Sequence, residues 1–376
     1  MKTLNTPSEV MCAALCQSAM LPNIEDHFDD EILQRAEDKY HGHIRLNQAL
    51  CHAAVGNGYD GSNVYNFGIE HMRFAFAGVN GSFSTIDTSG ILSNTANKFL
   101  EEGWGAGDQA WRELARIRPV NDFKDAPCYR LGANLTYEKI GAGGELKHGS
   151  LNETAYSNRA ETFGKLVSLT RQHIINDDMS AFTSVQYELG VGAIDAFNEI
   201  FWTQFLDNSA FFASGNNNVI SGADSSLGIA GLQLAEAKFL KQKKPSGQPL
   251  AVKPEILLVP VELKATGDTL MTSEKLITGS GGVQGDTNTF RNRFKVVTSP
   301  YLSDSSYTGY SAAAWYLLAD PVRMPTMDVV LLQGRDRPIV ESQLESFNVL
   351  GVQFRGYHDF GCVKYEYRGG VRAAGS

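Results

Sequence analysis

The sequence predicts an α+β fold on three observations. The first 60 residues carry helical spacing, residues 120–169 read as two long extended arms about a glycine-rich tip, and one helix of about 30 residues precedes a block of short apolar runs.

The N-terminal 60 residues hold nine acids and four Lys or Arg. Ser8 is placed to cap a helix running through Cys16, and residues 26–30 lead into a second helix in which Ile32, Leu33, Ala36 and Tyr40 follow helical spacing. Residues 56–68 are turn-rich and read as an extended arm or linker. This layout predicts that the first 60 residues serve assembly rather than the subunit's own core. Residues 93–102 read as a short helix ended by Gly103.

Over residues 120–169 the pattern becomes extended, with the tip GAGGELKHG at 141–149. A hairpin that long is not stable alone in water and must lie along its own domain or a neighbouring subunit. The next element is the clearest in the chain. A helix is expected from Asn176 to about Leu206, with Phe182, Val185, Leu189, Ala193, Ala196, Phe197, Ile200 and Phe201 as one apolar stripe. Asp177 and Asp178 sit at its positive end. Gly190 and Gly192 inside it predict a bend or the close approach of another backbone. Residues 208–224 read as a polar loop and 227–244 as an amphipathic helix, closing on Lys241, Lys243 and Lys244. Apolar runs at 256–263, 294–302, 312–320 and 328–334 predict the strands of an α/β body. The C-terminal stretch reads as two antiparallel strands turning near residues 358–361.

Composition narrows the function classes. With 43% hydrophobic and 20% charged residues in 376, the chain can bury a substantial core and is not a disordered protein. The formal charge of −9 argues against tight, sequence-reading contact with nucleic acid, though not against a protein that surrounds it. No apolar run approaches the roughly 18 residues of a membrane span. Pro7, Ser8 and Glu9 interrupt what would be a signal-peptide core. Five scattered cysteines read as reduced thiols, with Cys12 and Cys16 one turn apart on a buried helix face.

The sequence carries no recognisable catalytic, cofactor-binding or metal-binding motif. There is no G-x-S-x-G elbow, and the stretch Gly141-Ala142-Gly143-Gly144-Glu145-Leu146 fails the dinucleotide fingerprint at its last position. Gly164-Lys165 lacks the upstream glycine of a phosphate loop. His41, His43, His52 and Asp26 imitate a metal cluster, but helix positions two apart do not face each other. Asp177 and Asp178 are explained by helix capping, and the three lysines by a solvated helix end. What remains is architecture. A helical N-terminal segment, a long hairpin, one long helix and an α/β body suit a subunit that reaches across its neighbours.

Three stretches resemble the major head subunit of Mu-like tailed bacteriophages. They are the run ETFGKLVSLTRQHIINDDMSAF from Glu161, LLVPVEL from Leu257, and FGCVKYEYRGGV from Phe360. With the glycine-rich hairpin they span roughly residues 82–376. The resemblance implies the shell fold shared by tailed phages, encapsulins and herpesviruses. Its parts map as an N-terminal arm (1–80), an extended loop (120–165), a peripheral domain with a spine helix (82–119, 166–209 and 336–376) and an axial α/β domain (210–335). The implied function is a major capsid subunit that self-assembles as pentamers and hexamers into an icosahedral head around double-stranded DNA. The implied partners are further copies of itself, a scaffold or prohead protease, portal and decoration proteins, and packaged DNA touched without sequence preference. No membrane, enzyme activity or cofactor is implied. The implied location is the virion, with assembly in the host cytoplasm. An encapsulin-like compartment or a cytosolic enzyme with residues 216–224 at its mouth are the alternatives. Lys139, Lys147 and Asn348 exist but form no crosslinking signature.

Two surfaces are the candidate sites. The hairpin tip, through Gly141, Gly143, Gly144, Glu145, Leu146 and Lys147, is expected to meet an adjacent subunit. The long helix is expected to present an acidic face of Glu188, Asp195 and Glu199 to DNA, because residues 172–237 hold eight acids and no Lys or Arg.

Overall fold

The structure, a computed structural model, describes residues 7–41, 43–61, 67–76, 86–134, 150–170, 172, 179–244, 247–276, 286–344 and 351–375. The helices are α1 (Pro7–Ser18), α2 (Asp30–Tyr40), α3 (Leu46–Gly56), α4 (Ile69–Phe76), α5 (Thr88–Ala106), α6 (Trp111–Leu114), α7 (Met179–Leu206), α8 (Ile229–Leu240) and α9 (Lys264–Thr272). The strands run β1 (Ala115–Val120), β2 (Ala126–Asn134), β3 (Ser150–Asn158), β4 (Glu161–Thr170), β5 (Val219–Ile220), β6 (Pro254–Val259), β7 (Lys275–Leu276) and β8 (Asp286–Thr287). They continue through β9 (Lys295–Thr298), β10 (Trp315–Ala319), β11 (Met327–Leu332), β12 (Ile339–Leu344), β13 (Gly351–Lys364) and β14 (Gly370–Ala373). The α+β class holds. The chain forms two units, and it passes from one to the other within both α7 and β13.

The first unit comprises Met1–Gly107, Thr162–Ala196 and Asp336–Asp359. Here the expectation for the N-terminal 60 residues fails. In α1, Val10 through Cys16 are all at most 3% exposed, and they share a core with Leu21, Ile32, Ala36, Ile44, Ala49, Ile91 and Phe99. The run VMCAALC is apolar on every face, and a helix that is apolar all round has to be covered. The Cys12 thiol sits 3.3 Å from the Thr95 hydroxyl. Helix α4, which the turn-rich reading of 56–68 gave no reason to expect, adds Met72 and Ala75 to a second core with Leu50, Leu92, Leu100, Phe182 and Phe354.

Helix α5 does not stop at Gly103. It starts where Asp87 accepts the Gly90 amide at 2.9 Å and continues to Ala106. Gly103 is a crossing point: a Cβ there would overlap the Tyr187 carbonyl oxygen, and one on Gly190 of α7 would overlap that of Leu100. Each helix therefore lends a glycine to the other, while Gly192 faces open space. Helix α5 also closes the edge of β12. Asn97 accepts the Val340 amide at 2.7 Å and donates to the Val340 carbonyl at 3.0 Å. Ser93 accepts the Ser342 amide at 2.9 Å, and Ser89 donates to the Ser342 carbonyl at 2.6 Å. On its other side β12 pairs antiparallel with the first part of β13, with Ile339 opposite Tyr357.

The second unit comprises Asp108–Glu161, Phe197–Arg335 and Phe360–Ser376. Its larger sheet has the order β5-β14-β10-β6-β9. Trp315, Leu317, Leu257 and Val259 of that sheet are fully buried under Leu232, Ala235 and Phe239 of α8. The apolar runs at 256–263, 294–302, 312–320 and 328–334 supply β6, β9, β10 and β11, as their composition predicts. The 208–224 segment is more ordered than a polar loop. Buried Asn218 accepts from the Ala213 amide at 3.0 Å and donates to the carbonyls of Phe211 (3.0 Å) and Tyr367 (2.9 Å), and β5 within it pairs parallel to β14. The later residues of α7 bury Phe197, Phe201, Trp202 and Phe205; Phe197 meets Trp111 at 4.3 Å and Phe360 at 4.6 Å between ring centroids.

The turn expected at residues 358–361 does not exist. Strand β13 runs unbroken through them, because Gly361 marks a close backbone approach rather than a reversal.

Candidate functional site

Strand β1 reads A-R-I-R-P-V, and the two-residue period of a strand puts Arg116 and Arg118 on one face. Its parallel neighbour β11 places Asp328 opposite Arg116. The Asp328 side chain is fully buried and takes both guanidiniums. Arg116 Nη2 lies 2.7 Å from Oδ1, and Arg118 Nη2 lies 2.9 Å from Oδ2. Arg118 Nε is 3.0 Å from Oδ1, so this arginine grips both oxygens. Burial works to raise the carboxyl pKa, but the hydrogen bonds and charges of Arg118 and Arg116 outweigh it and hold the group below the usual carboxylate range. The neighbouring Cys362 thiol is pushed up by burial and by the Asp328 charge.

The same carboxylate reaches the base of the hairpin. Asn158, the last residue of β3, donates to the Asp328 carbonyl at 3.0 Å and to Oδ2 at 3.2 Å. Arg116 lies over the Tyr365 ring at 4.4 Å, and Tyr365 meets Tyr156 of β3 at 5.2 Å. From this root β2 and β3 pair antiparallel over nine positions, from Ala126 opposite Asn158 to Asn134 opposite Ser150. They form a two-stranded sheet of their own. The expected hairpin is thus present, but its second arm is two elements: β3 belongs to the hairpin, and β4 pairs with β13.

The tip residues Gly141, Gly143, Gly144, Glu145, Leu146 and Lys147 lie outside the described residues, as do Asp177 and Asp178. Glu188, Asp195 and Glu199 are each exposed, and their spacings of seven and four put them on one face of a continuous helix. Lys241, Lys243 and Lys244 are exposed beyond the end of α8. His41 ends α2 in a left-handed conformation (φ 53°), and His52 is edge-on to Tyr40 at 5.9 Å. Among the described residues no three His, Cys, Asp or Glu side chains are grouped to hold a metal, and no helix is long and apolar enough to cross a membrane. Cys12, Cys16, Cys51 and Cys362 are free thiols.

Sequence reasoning missed the Asp328 centre. Its local signals were an R-x-R pair on a strand and an aspartate opening an otherwise apolar run.

Residues 154–373, more than half of the chain, match the family model described as phage capsid protein. No curated protein sequence is similar to the chain. Among solved structures, the virus-like particle from Pyrococcus furiosus aligns at 10% identity and TM-score 0.45, over 74% of this chain and 97% of the other. The capsid of cyanophage P-SCSP1u aligns at 12% and 0.43 (70% and 86%), and the mature capsid of bacteriophage PhiM1 at 12% and 0.45 (70% and 85%). The chain belongs to the phage capsid protein family: it is a structural protein of the virion, not an enzyme.

Proposed function

We propose that this chain is the major capsid subunit of a tailed phage of Mu-like kind, assembling as pentamers and hexamers into an icosahedral head around double-stranded DNA. The observation that carries the reading is the β2–β3 hairpin. Nine residue pairs form a separate two-stranded sheet fixed at its base by a buried charged centre. A two-stranded sheet is marginal alone in water, and contact with another copy supplies the missing burial. The tip at 141–149 makes that contact. The arm, extended loop, peripheral and axial parts are those given above, except that β14, paired with β10, goes with the axial part, and α1 to α3 contribute to the subunit core besides any assembly role.

The exposed Glu188, Asp195 and Glu199 face the packaged DNA. An acidic lining keeps DNA from adhering, whereas a basic one would release counterions and hold it. A scaffold or prohead protease, a portal and decoration proteins complete the head in the host cytoplasm.

Electron microscopy of purified protein tests the reading. Closed polyhedral shells or capsomer rings are expected, and uniform small particles at all concentrations overturn it. Nuclease-protected DNA in particles from infected cells separates a phage head from a compartment loaded with protein.

A further inference from the structure

Three consecutive residues at the base of the hairpin are fixed by three different chemistries. Asn158 is 5% exposed and donates to the carbonyl and carboxylate of Asp328. Arg159 lies so close to β13 that any Cβ on Gly361 would overlap its carbonyl oxygen. Ala160 is 2% exposed in a small core with Val120 and Val330. The Asp328 carbonyl accepts from Asn158 whatever the charge, and the contact to Oδ2 is strengthened because Arg116 and Arg118 keep the carboxylate ionised, since a lone buried carboxylate would take up a proton. Arg116 then extends the grip through Tyr365 to Tyr156, two residues before Asn158.

We propose that Asp328 is a positioning residue for the hairpin: by holding Asn158 it sets the angle at which β2 and β3 leave their own subunit, and so where they meet a second copy of this chain. The consequence for shells rests on the assembly reading above; the clamp itself rests on the geometry. Leverage makes the root decisive. Nine residues of strand extend about 30 Å at ~3.3 Å per residue, so a tilt of about 10° at the base moves the far end by about 5 Å, a full strand spacing. A hairpin displaced by that distance meets the wrong backbone groups on its neighbour.

Asn158→Ala is the central variant, because the carboxylate and both arginines stay paired. Asp328→Asn removes the charge, and where it fails to fold Asn158→Ala decides. The readouts are the far-UV spectrum, shell diameters by electron microscopy, and amide hydrogen exchange of residues 126–134 and 150–158. A folded Asn158→Ala chain is expected to give mixed diameters or open sheets in place of one shell size. Its hairpin amides are expected to exchange about tenfold faster than in the parent chain. Shells of parental diameter and yield from folded Asn158→Ala overturn the proposal, even if exchange is faster. If the parent chain itself forms no shells, the assembly reading fails instead. The clamp then stands or falls on hairpin exchange alone, with an unchanged rate overturning it.

Discussion

Two strands are anchored to their surroundings by opposite means. In the first unit the edge of β12 is closed by neutral groups, with Ser89, Ser93 and Asn97 of α5 reaching the backbone of Val340 and Ser342. In the second, β11 carries one buried charge, Asp328, onto which Arg116, Arg118 and Asn158 all converge. The neutral seam is spread over several bonds of about 1 kcal/mol net each, so losing one leaves the others in place. The charged centre is concentrated, and removing its middle leaves two cations facing each other without an anion. The neutral seam suits a permanent joint. The charged one holds its partners in a single geometry or not at all.

The largest expected effect comes from breaking that centre. Asp328→Ala is expected to lower unfolding free energy by about 3–5 kcal/mol in urea denaturation, because it strands the partners of a buried ion pair. A loss below about 1 kcal/mol, the range of exposed pairs, would show that solvent already screens the arginines. Next comes displacement of α5. Gly190→Ala pushes a methyl group into the Leu100 carbonyl, and overpacking of this kind costs about 1–3 kcal/mol. Gly192→Ala, two residues further along the same helix but in open space, is expected to be neutral or slightly stabilising, so the pair isolates the crossing.

Within the seam, Asn97→Ala is expected to cost about 1–3 kcal/mol, since it leaves an amide and a carbonyl of Val340 unsatisfied. Acid separates the two joints. The folded pKa of Asp328 is depressed, so its contribution is fully present above the ordinary aspartate value of about 3.9 and is lost as pH falls through the lower folded value. The stability gap between the parent chain and Asp328→Asn is therefore expected to stay constant from neutral pH to about 4 and to narrow below it. The Asn97→Ala gap should not change with pH at all. Smallest of all, Glu188→Gln, Asp195→Gln and Glu199→Gln should each change stability by no more than about 0.5 kcal/mol, as exposed residues do. A larger loss would show that these carboxylates support the fold rather than sit on a free surface.

What the sequence made legible, and what it hid, follows the range of the interactions. Strands β6, β9, β10 and β11 announce themselves as apolar runs, and α7 as a stripe, because burial writes a local pattern. The glycines were ambiguous. Gly103 and Gly361 read as a stop and a turn, yet both admit another backbone, and a missing side chain looks the same in either case. The apolar run in α1 signalled burial, but the acids around it pulled the reading toward a detached segment. The Asp328 centre joins residues more than 200 positions apart, with Arg116 and Asp328 separated by 212. No local pattern encodes that pairing. The hairpin was legible from its extended arms and its glycine-rich tip, whereas the root that aims it was not.

The seam along β12 has a consequence for the concentrated conditions in which a virion protein accumulates. An open strand edge invites the same edge of another molecule, and such pairing propagates into fibrils. Serine and asparagine side chains set four residues apart on α5 occupy the bonding positions that a foreign strand would need. They do so with groups too short to form a strand themselves. The first unit can therefore be crowded against countless copies of itself without that edge recruiting any of them.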